Sequence, residues 1–345
     1  MGEAPVRLGV SLGLWLDRPA EEVLATAEAA DTCGYPELWV GEMATYDAVG
    51  LATAVGHRTD RIDLTIGPLA VAVRTPAGMA MAAGTVADLT GRRVGLAIGT
   101  SSPVVVEAWH GRSRARGGTA LRESAMACRQ LMAGERSAVD GEVVRSQGFR
   151  LRVAPPRGPL TVAAFGDVAI RAAAEHADRM VANLLAVEEL AELARKLDAA
   201  VTEVGPLVQG VDRPAPTLAV WVPTAVDPGP AAREQVRRAI VSYLRAPGYR
   251  EMFERAGFGE VVAKAQEDLH PRQLLAAVPD EMAETIGAIG SIDEVFARID
   301  AYAAAGADEV VIVPSATDED PGGVGTLTRI ASHRAERSGS GSVRA

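Results

Sequence analysis

The sequence predicts an α/β fold, a closed (β/α)8 barrel with insertions after strands four and seven, on three observations. Short apolar runs repeatedly end in a Gly or polar turn and lead on to Ala-rich helical stretches. Glu37–Val40 precedes Gly41-Glu42, Ile62–Ile66 precedes Gly67-Pro68, Val94–Ile98 precedes Gly99–Ser102, and Leu160–Ala164 precedes Phe165–Asp167. These strands are almost wholly apolar, as strands covered on both faces must be. Eight such strands can be placed along the 345 residues, with mostly short crossovers between them. That pattern favours a closed barrel over an open doubly wound sheet. It also puts every strand-end turn at one end of the sheet, where parallel α/β folds bind ligands.

Each element has a local reason. Val6–Leu12 is the first strand, and Asp17-Arg-Pro19 opens a helix that Gly34 stops. Thr53–Arg58 belongs to the second helix. Thr75-Pro76 starts a third, with Met79, Ala83, Val86 and Ala87 on its buried face and Gly91 at its end. The stretch from about 103 to 159 exceeds a usual connection. It holds a basic segment, Arg112–Arg116, a helix near Leu121–Ala133, and a hairpin-like pair, Gly141–Arg145 and Phe149–Val153. Long barrel loops of this kind are usually functional. Helices over Val168–His176 and Val187–Val204 flank strand six, Met180–Asn183. Strand seven, Thr217–Pro223, leads into a second insertion, about 224–284. Ser291-Ile-Asp-Glu294 is a capping box, Gly306 ends that helix, and Glu309–Val313 is strand eight. Residues 1–333 read as one domain, and 334–345, rich in Ser, Gly and Arg, as a disordered tail.

Composition excludes several functions. The net charge of −10 argues against nucleic-acid binding, which needs a basic face. Lys196 and Lys264 are the only lysines; neither follows a Gly-rich loop as a P-loop lysine does, and both lie in polar helical stretches unsuited to Schiff-base chemistry. Cys33 and Cys128 fall in helices and read as small hydrophobes, and the five scattered histidines offer no metal-ligand spacing. No run reaches the roughly 18–20 apolar residues of a membrane span. No signal-peptide pattern opens the chain, so the expectation is a cytoplasmic enzyme acting on a small molecule, with neither nucleic acid nor membrane as partner.

The candidate site residues follow from the strand ends. Glu42 directly follows strand two and could act as acid, base or cofactor partner, or serve as a helix cap or structural ion pair. Tyr46 could wall the pocket, and Asp47 reads as the cap of the next helix. Gly67–Val73 extends strand three past its usual stop, which suggests a bulge offering a flat apolar surface. Gly99-Thr100-Ser101 supplies backbone N–H groups and hydroxyls suited to a phosphate or polar tail. Phe165-Gly166-Asp167 precedes a helix N-terminus, a natural anion site, although Asp167 could be a plain cap. Trp109-His110 could line the pocket from the first insertion, and His176 reads as core.

In these residues the chain resembles the bacterial-luciferase-like monooxygenase superfamily, in particular its actinobacterial oxidoreductases that use coenzyme F420, a deazaflavin. The resemblance runs from about Val6 to Pro314. It rests on Gly34–Glu42, Leu64–Gly67 with Arg74-Thr-Pro76, Val94–Thr100, Leu160–Ala164, Ala177-Asp-Arg179, and Gly290–Glu294 leading to Ala305-Gly-Ala307. It implies a barrel, often dimeric. Gly67, Leu69, Ala70 and Val71 would back the deazaflavin ring, with a cis peptide at Ala70–Val71. Gly99, Thr100, Ser101, Phe165, Gly166 and Asp167 would bind the ribityl-phosphate tail, flanked by Met180. Glu42 would be the catalytic proton donor or acceptor, helped by Tyr46 and His110. Members that oxidise alcohols or sugar phosphates carry an acidic residue near Ser102, and this chain does not, so those substrates are not expected. The alternatives are an FMN-dependent monooxygenase on the same barrel and a non-catalytic barrel serving as a partner subunit.

Overall fold

A computed structural model describes residues 6–205, 207–208, 211–212, 214–267 and 269–341. Eight parallel strands close into a ring: β1 (Arg7–Ser11), β2 (Glu37–Val40), β3 (Asp63–Ala70), β4 (Val94–Gly99), β5 (Arg157–Ala163), β6 (Arg179–Asn183), β7 (Thr217–Val226) and β8 (Glu309–Pro314). Neighbours in sequence are neighbours in the sheet, and β8 pairs with β1 through Arg7↔Glu309 and Val10↔Ile312, which closes the barrel. A three-residue strand, Ala288–Gly290, lies beside the upper half of β7.

The crossover helices begin where their residues favour it. Helix α1 spans Ala20–Thr32 and α2 Ala48–Arg58, the latter capped by Asp47, whose carboxylate accepts from Gly50 N at 2.8 Å. Helix α3 (Pro76–Thr90) has Thr75 as its cap and Pro76 in its first turn, and Gly91 ends it at φ 70°. Helices α4 (Gly117–Met132), α5 (Asp167–His176), α6 (Val187–Val204) and α7 (Pro230–Tyr243) follow. Four short helices, α8 (Tyr249–Phe253), α9 (Gly259–Gln266), α10 (Pro271–Ala277) and α11 (Asp280–Ile286), build most of the second insertion. Helix α12 (Ile292–Ala304) starts on the Ser291–Glu294 capping box, and α13 (Val324–Gly341) ends the described chain.

Period-two alternation divides the core in two. Leu64, Ile66, Leu96, Ile98 and Val162 face the helices and join one large apolar cluster. Trp39, Ala97, Val181, Ala219 and Val311 face inward and fill the lumen's middle layer. Below them, at the strands' N-terminal ends, Arg179 lies between Glu37 and Glu309, with its guanidinium carbon 4.1 Å from the centre of the Trp39 ring. No helix among the described residues is long and apolar enough to cross a membrane.

Two sequence expectations are corrected. The hairpin of the first insertion pairs Ala138–Asp140 with Arg145–Gln147, not 141–145 with 149–153. The buried carboxylate of Glu123 accepts from the backbone N–H groups of Glu142, Val143 and Val144, which holds that apolar pair in the turn. Residues 334–341 continue α13 instead of forming a disordered tail, and 342–345 lie outside the described residues. Arg337 anchors the extension by pairing with Asp300 at 2.9 Å over the Phe296 ring.

Candidate active site at the barrel mouth

The C-terminal strand ends form the mouth. Following the alternation upward from the middle layer, the uppermost inward positions are Ser11, Gly41, Ala70, Gly99, Ala163, Asn183, Trp221 and Val313. Most are small, and Trp221 is the one large ring among them, set edge-on to Trp39 with centroids 5.5 Å apart. The indole N–H of Trp221 is buried and has no hydrogen-bond partner among the described residues. A side chain at Gly41 would touch Trp221 and Leu14, and one at Gly99 would press on Ala163 at 3.2 Å.

Strand β3 carries the predicted bulge. Its register to β4 shifts between Ile66 and Leu69. Gly67 sits there at φ 112°, and a Cβ on it would overlap the carbonyl oxygen of Ala97, so only glycine fits. The cis bond in the bulge is Gly67–Pro68, not Ala70–Val71; it falls at the X–Pro amide, where the cis form is least disfavoured. Ala70 and Val71 reach the mouth, nearly buried, whereas Leu69 is fully buried among the helix-facing residues. Met180 is corrected for the same reason. With Arg179 and Val181 inward, Met180 faces the helices and is fully buried, and the mouth position on β6 is Asn183. Both Tyr243 and Tyr249 hydrogen-bond to Asn183, and Tyr249 packs against Phe165 with ring centres 4.5 Å apart and planes tilted by 56°. The second insertion is thereby fastened over the ends of β5 and β6.

Glu42 lies just past β2, as expected, but it has a partner. Arg74, four residues beyond β3, clamps it in a two-bond ion pair and also reaches Asp47. Arg74 is held above its ordinary value, chiefly by the hydrogen bond to Glu42. Each Glu42 oxygen keeps a further lone pair for another donor. Tyr46 packs half-buried against the large core cluster. His110 ends a π-helical turn, Val104–Trp109, and is exposed.

The strand ends that carry the expected tail residues, those of β4 and β5, lie side by side. Strands β4 and β5 pair through Ile98↔Val162, which sets Gly99 beside Ala163. The α4 N-terminus adjoins both. A side chain at Gly117 would touch Thr100 at 3.6 Å, and one at Gly118 would press on Val168 in the first turn of α5 at 2.8 Å. Two helix N-termini therefore open near Thr100. Gly166 is the α5 cap residue, and Asp167, one position in, is exposed and neutralised by Lys196 Nζ at 3.0 Å. Beside Val71 and Thr100 a pocket of about 220 Å³ is walled by Arg112, Arg114 and Val144. The sequence shows Arg112–Arg116 only as an exposed basic segment, carries Arg74 only as part of a family motif with no role of its own, and assigns nothing to Trp221. A Trp at an inward register position was the available signal for Trp221.

This arrangement agrees with the sequence comparisons. The luciferase-like monooxygenase family model matches residues 5–309. The chain belongs to that family, which is a family of enzymes. A Mycobacterium tuberculosis protein whose provisional name places it among coenzyme F420-dependent oxidoreductases is 26% identical over 340 residues, covering 92% of this chain and 97% of its own. The coenzyme F420-dependent tetrahydromethanopterin reductase of Methanopyrus kandleri superposes with a TM-score of 0.78 at 18% identity, covering 95% of this chain and 98% of its own. The oxygenating constituent of 3,6-diketocamphane monooxygenase from Pseudomonas putida, in complex with FMN, gives 0.66 at 18% identity over 95% and 97%.

Proposed function

We propose that this luciferase-like enzyme is a coenzyme F420-dependent oxidoreductase. The observation that carries the reading is the upper lumen. Gly41, Ala70, Gly99 and Ala163 present almost no side chain, and Gly67 brings the β3 backbone against that of Ala97. A planar ring system would be held there by backbone and methyl groups, with the unpartnered Trp221 N–H as a donor to one of its edge acceptors. The ring would supply a hydride donor or acceptor at its C5 carbon, chemistry that belongs to the cofactor. Thr100, Ser101 and the N-termini of α4 and α5 would hold its phosphate. Glu42, fixed by Arg74 at the rim, is the group to give or take the accompanying proton. The curated relative named for F420 supports the deazaflavin over FMN.

Fluorescence titration of the purified protein with F420 and separately with FMN tests this. The expected result is saturable deazaflavin binding at least about tenfold tighter than FMN, a gap of about 1.4 kcal/mol. Tight FMN binding without deazaflavin binding would make the protein a flavin monooxygenase instead. Binding of neither would favour a non-catalytic barrel serving as a partner subunit.

A further inference from the structure

We infer that Arg112 and Arg114 form an anchor for the acidic, glutamyl end of the cofactor's tail, beyond the phosphate. This rests on the deazaflavin reading above and specifies how the first insertion would serve it. The pocket they wall, about 220 Å³, also takes in Val71, Thr100, Gly117 and Val144. It shares Val71 with the ring-backing strand and Thr100 with the phosphate end, so it continues outward from the ring site.

Its charge is unusual for this molecule. The chain carries a net −10, yet three arginines fall within five residues here. Arg116 pairs with Glu142. The Glu107 carboxylate accepts the backbone N–H of Arg114, at 3.3 Å. The guanidinium of Arg114 contacts no carboxylate among the described residues; its Nη2 lies 3.5 Å from Thr100 Oγ1, and its buried Nε has no partner. Arg112 has no ion pair among the described residues either. Arg116 is answered by Glu142, and the nearby Glu123 carboxylate is taken up by the backbone N–H groups of Glu142, Val143 and Val144. Two guanidinium forks therefore stand free for planar carboxylates, the anions they match in geometry. FMN ends at its phosphate and would leave Arg112 idle; F420 continues through a phosphodiester to glutamyl carboxylates. The insertion would thus select the cofactor by the length of its acidic tail.

The test is a set of equilibrium titrations followed by cofactor fluorescence, without turnover. The ligands are glutamylated F420, the phospholactyl form without glutamates, and the riboside-level deazaflavin that lacks both. Arg112→Gln and Arg114→Gln should each weaken the glutamylated form roughly threefold, and the pair together about tenfold. The riboside-level analogue should bind all variants as it binds the parent. Added salt should weaken the glutamylated form more than the analogue. Arg112→Lys, which keeps the charge, should recover part of the loss and shows that the fold is intact. Equal weakening of all three ligands would make the arginines structural. Equal weakening of the two phosphorylated forms would confine them to the phosphate, and unchanged affinities would place the tail elsewhere. Each of those outcomes overturns the anchor while leaving the deazaflavin reading standing. Failure of the parent to bind even the riboside-level analogue overturns both.

Discussion

At the scale of single residues, Glu42 and Trp221 divide the work of the mouth. Glu42 is shared with Arg74, which also holds Asp47, so the three form one rim cluster. Trp221 lies inside the lumen and brings a donor that meets no acceptor among the described residues. A buried N–H left unmatched costs about 1–3 kcal/mol, which a ligand acceptor would return. Trp221→Phe should therefore weaken deazaflavin binding about fivefold or more by fluorescence titration, equivalent to roughly 1 kcal/mol. Glu42→Gln keeps the shape and one acceptor for Arg74, so cofactor affinity should hold within about twofold. Substrate-dependent oxidation or reduction of the bound deazaflavin should instead slow by about 100-fold or more. An unchanged rate would remove Glu42 from proton transfer and leave it as a brace for Arg74.

At the scale of elements, the β3 bulge decides whether the ring site exists. Gly67 combines a positive φ with backbone contact to Ala97, and neither tolerates a Cβ. Gly67→Ala should cost at least about 2 kcal/mol in chemical unfolding and abolish saturable cofactor binding. A stable variant that still binds would show that β3 does not back the ring. This bulge was legible in the sequence because Gly and Pro interrupt an otherwise apolar strand. The eight strands, the α3 caps and the Ser291 capping box were legible for similar local reasons. What escaped depended on partners distant in sequence. The Glu42–Arg74 pair spans 32 positions, and the hairpin register was set by a Glu123 carboxylate about 20 residues away. The resemblance put Met180 beside the tail, but a strand's facing cannot be fixed until one residue's direction is known. The inward Arg179 supplies that direction.

At the scale of the whole molecule, the two ends of the barrel have opposite characters: a small-residue mouth above and a charged plug below. In the plug Arg179 serves two carboxylates unequally. Glu37 accepts two bonds from Arg179, at 2.7 and 2.8 Å, and others from Arg7 and Thr65. Glu309 accepts a single bond from Arg179, at 2.7 Å, and its other oxygen is buried without a partner among the described residues. Burial alone would raise the Glu37 carboxyl, but Arg179, Thr65 and Arg7 outweigh it and hold Glu37 below the ordinary carboxylate range. Burial and the nearby Glu37 charge push Glu309 above that range. The two groups therefore act in opposite senses. Glu37 stabilises the fold above the ordinary carboxylate pKa, and that contribution is lost as pH falls through its lowered value. Glu309 stabilises while protonated, and its contribution is lost as pH rises from the ordinary value through its raised one. Glu37→Gln should then cost about 3 kcal/mol at pH 7, because it weakens the best-matched buried pair, and less as the solution is acidified. Glu309→Gln mimics the protonated acid. It should match or exceed the parent's stability at pH 7 to 8, with the difference vanishing below about pH 4, where Glu309 is protonated folded or unfolded. Urea unfolding of the parent and both variants across that range measures it. A loss of about 3 kcal/mol for Glu309→Gln at pH 7 would mean that Glu309 is a full ion-pair partner and that the plug holds two carboxylates on equal terms.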